Sequence, residues 1–377
     1  MKDFIVFVRF GLQSFLLLIS PICFAQTSDK LATAETKNLL RNLKAIQGKK
    51  VLFGHQDDLA YGNGWKYEAG RSDINDVTGE YPAVYGWELG GLEHGRPVNI
   101  DSVPFDKMKA FIKLAYDKGS VTTISWHLDN PVNGKSAWDT TKNCVRGILP
   151  GASKHALYKS WLEKVAAFLG DLKGSDGKSI PVLFRPFHEM SGSWFWWGRN
   201  ETSPEELKQI WRFTVTYLRD VKKLHNILYV YNYNDIKSAD DFMERYPGDA
   251  YVDVMSFDFY QSGDPQKDTR FITEVQKSLS IVHGLADRHN KAFAFAETGY
   301  NAVPYAKWWT KTLWPAMQND LPAYVLVWRN AGYRPKENDY HYFAPFKGQV
   351  SAPDFVKLYQ NSKVAFEKKA AALNLYK

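Results

Sequence analysis

Val182-Leu183-Phe184-Arg185-Pro186-Phe187-His188-Glu189 is an apolar run that ends in charge. Its apolar residues sit mostly side by side instead of alternating with polar ones, as expected of a strand covered on both faces. Seven further stretches read as strands, several with the same pattern: 51–54, 83–89, 121–127, 227–234, 252–260, 292–298 and 324–330. Between them, 105–118, 157–172, 205–223, 269–289 and 305–317 repeat apolar residues at helical spacing. Ser203-Pro204-Glu205-Glu206 has the chemistry of a helix start. Residues 26–49 read as a leading helix, and 355–373 as the helix that closes the chain. Eight alternating β and α units predict a (β/α)8 TIM barrel of class α/β. Its longest connections are 129–154 and 331–353. No Pro- or Ser-rich linker divides it, so 26–377 is expected to be one catalytic domain.

Of the 377 residues, 45% are hydrophobic and 24% charged, which excludes wholesale disorder. Aromatics reach 15%, with 13 Trp, a supply of flat apolar faces for a ligand as well as for a core. The net charge of +7 is spread along the chain without the like-charge block of a nucleic-acid arm, so nucleic acid is not an expected partner. Residues 1–25 read as a signal peptide: Lys2 and Arg9, the apolar run 10–22, then Cys23-Phe24-Ala25 before Gln26. Gly11, Gln13, Ser14 and Pro21 interrupt that run, and nothing later approaches the roughly 18 apolar residues of a membrane span. The expected destination is the periplasm or the outside. Lipid anchoring at Cys23 is the alternative, with Pro21-Ile22 a poor approach to it. Cleavage after Ala25 leaves only Cys144, hence no internal disulfide.

Active-site residues of such barrels come from the C-terminal strand ends. Here those ends carry His55-Gln56, Trp87-Glu88, Trp126-His127, His188-Glu189, Tyr231-Asn232, Asp258-Phe259-Tyr260, Glu297-Thr298 and Trp328-Arg329. Glu189 and Glu297 end the fourth and seventh strands, which face each other across the mouth. Two carboxyls roughly 5–5.5 Å apart are what a retaining glycosidase uses, one as acid/base and one as nucleophile; a wider gap suits inversion. While Glu297 is ionised its charge keeps Glu189 protonated, and once it becomes an ester that charge is gone.

The segment 182–190 with Ser191-Gly192-Ser193-Trp194-Phe195-Trp196-Trp197-Gly198 closely resembles the acid/base signature of glycoside hydrolase family 26. Phe53-Gly54-His55-Gln56, Ser125-Trp126-His127, 256–261 and Phe295-Ala296-Glu297-Thr298-Gly299 resemble family segments in the same order. The resemblance implies a (β/α)8 barrel with a retaining mechanism, acting mostly on β-1,4-mannan, with some members cutting β-1,3-xylan or mixed-linkage β-glucan. It makes Glu189 the acid/base and Glu297 the nucleophile. It puts His188 near Glu297 or the sugar, has Tyr260 orient the nucleophile, places Asp258 in the cleavage subsite and sets Arg185 close to the carboxylates. Trp194 would stack on the leaving-group sugar, His127 would touch the sugar under attack, and Trp328 and Arg329 would shape the next subsite. Phe187 stands where many relatives carry Trp.

His55, His127 and His188 with the acids lack metal-ligand spacing, so no metal is expected, and no organic cofactor. Of the tryptophans after Glu189, Trp194 is expected to face sugar and Trp196 or Trp197 to be structural. Asp57-Asp58 reads as a loop cap, and Ser125 lacks a nucleophile elbow. A non-catalytic glycan-binding barrel is the rival class, which would not need both glutamates. The expected partner is a β-mannan chain, and the expected state a monomer.

Overall fold

A computed structural model describes residues 26–335 and 338–377; the expected leader, 1–25, lies outside the described residues. Eight strands form the barrel: β1 (Val51–Gln56), β2 (Val84–Glu88), β3 (Val121–Trp126), β4 (Val182–Pro186), β5 (Ile227–Asn234), β6 (Val254–Gln261), β7 (Ala292–Tyr300) and β8 (Tyr324–Val327). Each pairs in parallel with the next, and β8 closes on β1 with Leu52 opposite Tyr324. A closed parallel sheet needs cover on both faces, and the chain supplies it in two layers. Val51, Phe53, Val182, Phe184, Tyr229 and Phe293 belong to the outer cluster beneath the helices. Their neighbours Leu52, Leu183, Leu228, Val230, Val254 and Ala294 fill the interior, together with Leu39, Leu40 and Leu43 of the helix Ala34–Ile46. That helix therefore plugs the end where the strands begin and leaves the other mouth open.

The interior alternation carries upward into chemistry. From Leu183, Val230 and Ser256 the same parity reaches Arg185, Asn232 and Asp258, all directed inside. β7 breaks the rule. Phe295 stands opposite Phe257, yet Glu297 stands opposite Asp258, so Ala296 is an extra residue in β7. With Ala292 and Ala294 inward, an unbroken strand would turn Glu297 out toward the helices. The bulge turns it in beside Asp258, a common use of bulges near active sites.

Three departures of element ends from the sequence reading have a local physical cause. β4 stops at Pro186, which has no N–H for the ladder, and Phe187 and Glu189 take left-handed conformations, φ 51° each. The helix begun by Ser203, whose side chain and that of Glu206 form a capping box, ends its α-helical part at Thr216 and widens into a π turn over Tyr217–Val221. The closing helix is two, Ala352–Gln360 and Glu367–Ala372. Between them Val364 and Ala365 pair with Val51 and Leu52, the part of β1 that β2 leaves unpaired. Their burial there outweighs helical continuity.

Gly54 shows how closely the strands are fitted: a Cβ there would meet Val84 Cβ at 2.9 Å and the Val325 carbonyl at 3.2 Å. Gly54→Ala is expected to destabilise the barrel by about 1–3 kcal/mol through this overpacking. Thermal denaturation checks it, and an unchanged Tm would contradict the fit.

Candidate active site

At the open mouth the inward residues converge. Arg185, its side chain only 3% exposed, donates one N–H to Asp258 at 3.0 Å and another to Glu297. Tyr260 donates to the other Glu297 oxygen at 3.0 Å. Asn232 donates to Asp258 at 2.8 Å and, through its carbonyl, accepts the backbone N–H of Glu189 at 2.8 Å. This last bond fixes the left-handed turn that carries Glu189. One carboxylate oxygen each from Glu189, Asp258 and Glu297 lies within 4.8 Å of the others. Such a trio would suit a cation, and Arg185 already places a positive charge on two of its members.

The protonation pattern follows from burial and charge. Burial, then the charges of Asp258 and Glu297, push Glu189 well above the usual carboxylate range. Burial raises Asp258 to about 7 against the pull of Arg185, with Glu297 adding to the rise. Burial would strip the proton from Arg185, but Asp258 and Glu297 overcome it and the guanidinium stays charged. Burial, then Glu297, raises Tyr260 well above an ordinary phenol, so it remains a donor. Around Glu297 stand two donors, while Glu189 is disposed to hold a proton.

A second network lies beside the first. Glu88 accepts from Ser125 at 2.7 Å, from the backbone of His127 at 2.7 Å and from His127 Nδ1 at 2.8 Å. Burial opposes the charged forms of both, yet the Glu88 charge raises His127 and His127 lowers Glu88. His127 Nε2 in turn meets His188 Nε2 at 3.0 Å. Burial, then the charges of His127 and Arg185, drive His188 well below the usual imidazole range. A charged His127 donating to a neutral His188 satisfies this row, and His188 Nδ1 has no partner among the described residues. Of the two places expected for His188, near Glu297 or the sugar, the first is corrected: its bond is to His127, because the charged Glu88–His127 pair supplies the donor. The two imidazoles are bonded to each other, while His55 is taken up by Asp58 at 2.6 Å.

The aromatic cluster sorts by exposure. Trp196 and Trp197 are fully buried, donating to the carbonyls of Leu128 and His188. Trp194 is 37% exposed. Trp328 is half-buried at the end of β8. Arg329 reaches Asp101 at 3.0 Å and the Tyr61 hydroxyl at 3.3 Å, joining the loops after β1, β2 and β8 at one end of the mouth. Asp57 and Asp58, expected as a loop cap rather than a catalytic pair, lie in the turn after β1 with both side chains buried, Asp58 on His55 and Asp57 on the Tyr61 hydroxyl at 2.5 Å.

Sequence reasoning missed Asn232, Glu88, Asp101, Tyr61 and Trp138. Asn232 and Glu88 were visible as strand ends, and their inward parity was the signal that would have selected them. Trp138, half exposed in the long connection after β3, stacks on His127 with ring centroids 5.0 Å apart. Nothing local in the sequence marks it, or Asp101, as part of the mouth.

Residues 28–311 match Glycosyl hydrolase family 26. A mannan endo-1,4-β-mannosidase of Bifidobacterium adolescentis is 33% identical over 89% of this chain, which spans only 35% of that protein's length. One of Bacillus subtilis is 29% identical over 71% of each chain. Among solved structures, a GH26 β-mannanase from Bacteroides ovatus superposes with TM-score 0.86 at 41% identity, covering 92% of this chain and 98% of the other. Together with the eight-stranded barrel and the paired glutamates at its mouth, the match over most of the chain establishes that it belongs to glycosyl hydrolase family 26.

Proposed function

We propose that the protein is an endo-acting β-1,4-mannanase that works by double displacement, with Glu189 as acid/base and Glu297 as nucleophile. The observation that carries this reading is that one oxygen of Glu189 and one of Glu297 lie within 4.8 Å of each other, an approach that fits the roughly 5–5.5 Å carboxyl spacing of covalent attack. In the first step Glu297 attacks the anomeric carbon while Glu189 gives its proton to the departing glycosidic oxygen. Arg185 and Tyr260 hold the attacking carboxylate in one orientation, so little of the barrier is spent on arranging it. As the ester forms, the charge that kept Glu189 protonated disappears. Glu189, already ionised by giving up its proton, stays so and takes a proton from the incoming water, whose attack on the ester releases the sugar with its original configuration and frees Glu297.

The other residues supply grip. Trp194 offers a ring face to the leaving-group sugar, and His127 with His188 borders the sugar under attack. Asp258 keeps Glu189 protonated and Arg185 in place. Trp328 and Arg329 border the adjoining subsite. The relatives' names support mannan as substrate. The leader over 1–25 supports export, with the mature barrel acting as a monomer on polysaccharide. Among the described residues no helix is long and apolar enough to cross a membrane.

Glu297→Ala is expected to cut turnover by about a thousandfold or more while leaving circular dichroism and mannan binding intact; near-normal activity would reject the assignment. NMR of the first product should show the β-anomer, and an initial α-anomer would contradict retention. Glu189→Ala should lose activity on mannan but regain turnover of an aryl β-mannobioside with a good leaving group when azide is added, yielding a β-glycosyl azide. Failure of azide to change rate or product would count against Glu189 as the base. Early products from undecorated mannan should span many sizes, with mixed-linkage glucan and xylan cut far more slowly. A single short product from the outset would contradict endo attack.

A further inference from the structure

The exposed Trp194 does more than present a ring. Its indole Nε1 donates to Glu189 Oε2 at 2.8 Å. An indole N–H can only donate, and the carbonyl oxygen of a carboxylic acid is the better acceptor, so this bond favours Oε2 as the acceptor and Oε1 as the oxygen that carries a transferable proton. The ring reaches this position because residue 192 is glycine. A Cβ there would meet the far edge of the indole, Cη2 and Cζ2, at 2.5 Å each. Gly192 is therefore required for the room it leaves, and its own amide is tied back to the Glu189 carbonyl at 2.9 Å. The turn Glu189–Trp194 is thus built so that the platform and the acid/base share one hydrogen bond.

We propose that Trp194, seated on Gly192, is a positioning residue for the acid/base: its N–H selects the proton-bearing oxygen of Glu189 and favours the ionised form that the second step needs. This rests on the reading of Glu189 as acid/base. The other groups facing Glu189 are Asp258 and Glu297, which oppose its ionisation, Arg185, which favours it, and the protonated Tyr260. Burial and the two acids dominate, so Glu189 stays protonated in the free enzyme; the indole bond is the local counterweight that keeps it able to ionise once Glu297 is esterified. The sign is definite. A donor to a carboxylate lowers its pKa, so losing the donor raises it.

The test is the pH profile of kcat/KM on mannopentaose for wild type, Trp194→Phe, Trp194→Ala, Gly192→Ala and Glu189→Gln. Phe keeps an apolar ring and lacks the N–H. The alkaline limb in Trp194→Phe is expected to move up by about one pH unit, with KM near the acidic optimum within about twofold of wild type. Trp194→Ala should show the same limb shift and a raised KM. Gly192→Ala should reproduce the limb shift with the indole still present but displaced. Alkaline limbs of Trp194→Phe and Gly192→Ala that coincide with wild type would overturn the proposal and reduce Trp194 to a platform. Glu189→Gln separates the two failures. If it stays active with an unmoved limb, the acid/base reading itself falls; if it is inactive while the Trp194→Phe limb stays put, only the positioning role falls.

Discussion

A guanidinium buried among three carboxylates is the interaction on which this mouth depends. Arg185 is almost fully enclosed, yet Asp258 and Glu297 each take one of its N–H groups. Removing such a charge from water is costly and is offset only when the geometry satisfies it, as the planar fork does here. Without the cation, acids this close in a water-poor cleft would hold protons instead of charge, and none would be ready to attack carbon. With it, the negative charge settles on the arginine side of the trio and the proton on Glu189. The division of labour between two chemically identical side chains is therefore set by where one arginine points, and Arg185 points inward because it shares the parity of Leu183.

Neither glutamate arrives by regular strand geometry. Glu297 faces the cleft because Ala296 is an extra residue in β7, and Glu189 does so after β4 has stopped at Pro186 and turned through two left-handed residues. Such conformations cost energy and persist only where their surroundings hold them. Asn232 does so for Glu189, and Asp258 and Arg185 receive Glu297 as the bulge delivers it. The barrel contributes rigidity, and its local irregularities contribute aim.

The contrast explains how much could be read from sequence. Eight buried strands were visible, because a sheet covered on both faces writes itself as consecutive apolar residues. The strand ends then drew attention to Glu189, Glu297, Arg185, Asp258 and Tyr260. What stayed hidden depends on register or on contacts far apart in the chain. Ala296 looks like any small strand residue, and the bulge appears only when β6 lies beside it. His188 was placed by resemblance near Glu297 or the sugar, and the protein partner that holds it is His127, itself charged by Glu88 on another strand. Asp57 and Asp58 are loop residues, as they looked, but their burial was hidden because no local pattern shows that the loops after β2 and β8 close over that end. At the C-terminus, helical spacing was a true local signal that two strand pairs on β1 overruled.

The central claim is that Glu297 forms a bond to the sugar while Glu189 and Asp258 do not. Incubation with a 2-deoxy-2-fluoro-β-mannobiosyl fluoride, which slows release of the glycosyl-enzyme, followed by peptide mapping in a mass spectrometer, tests this most directly. The account predicts a single adduct, on the peptide that carries Glu297. An adduct on the peptide of Glu189 or Asp258, or turnover of the fluoride with no adduct at all, would contradict it.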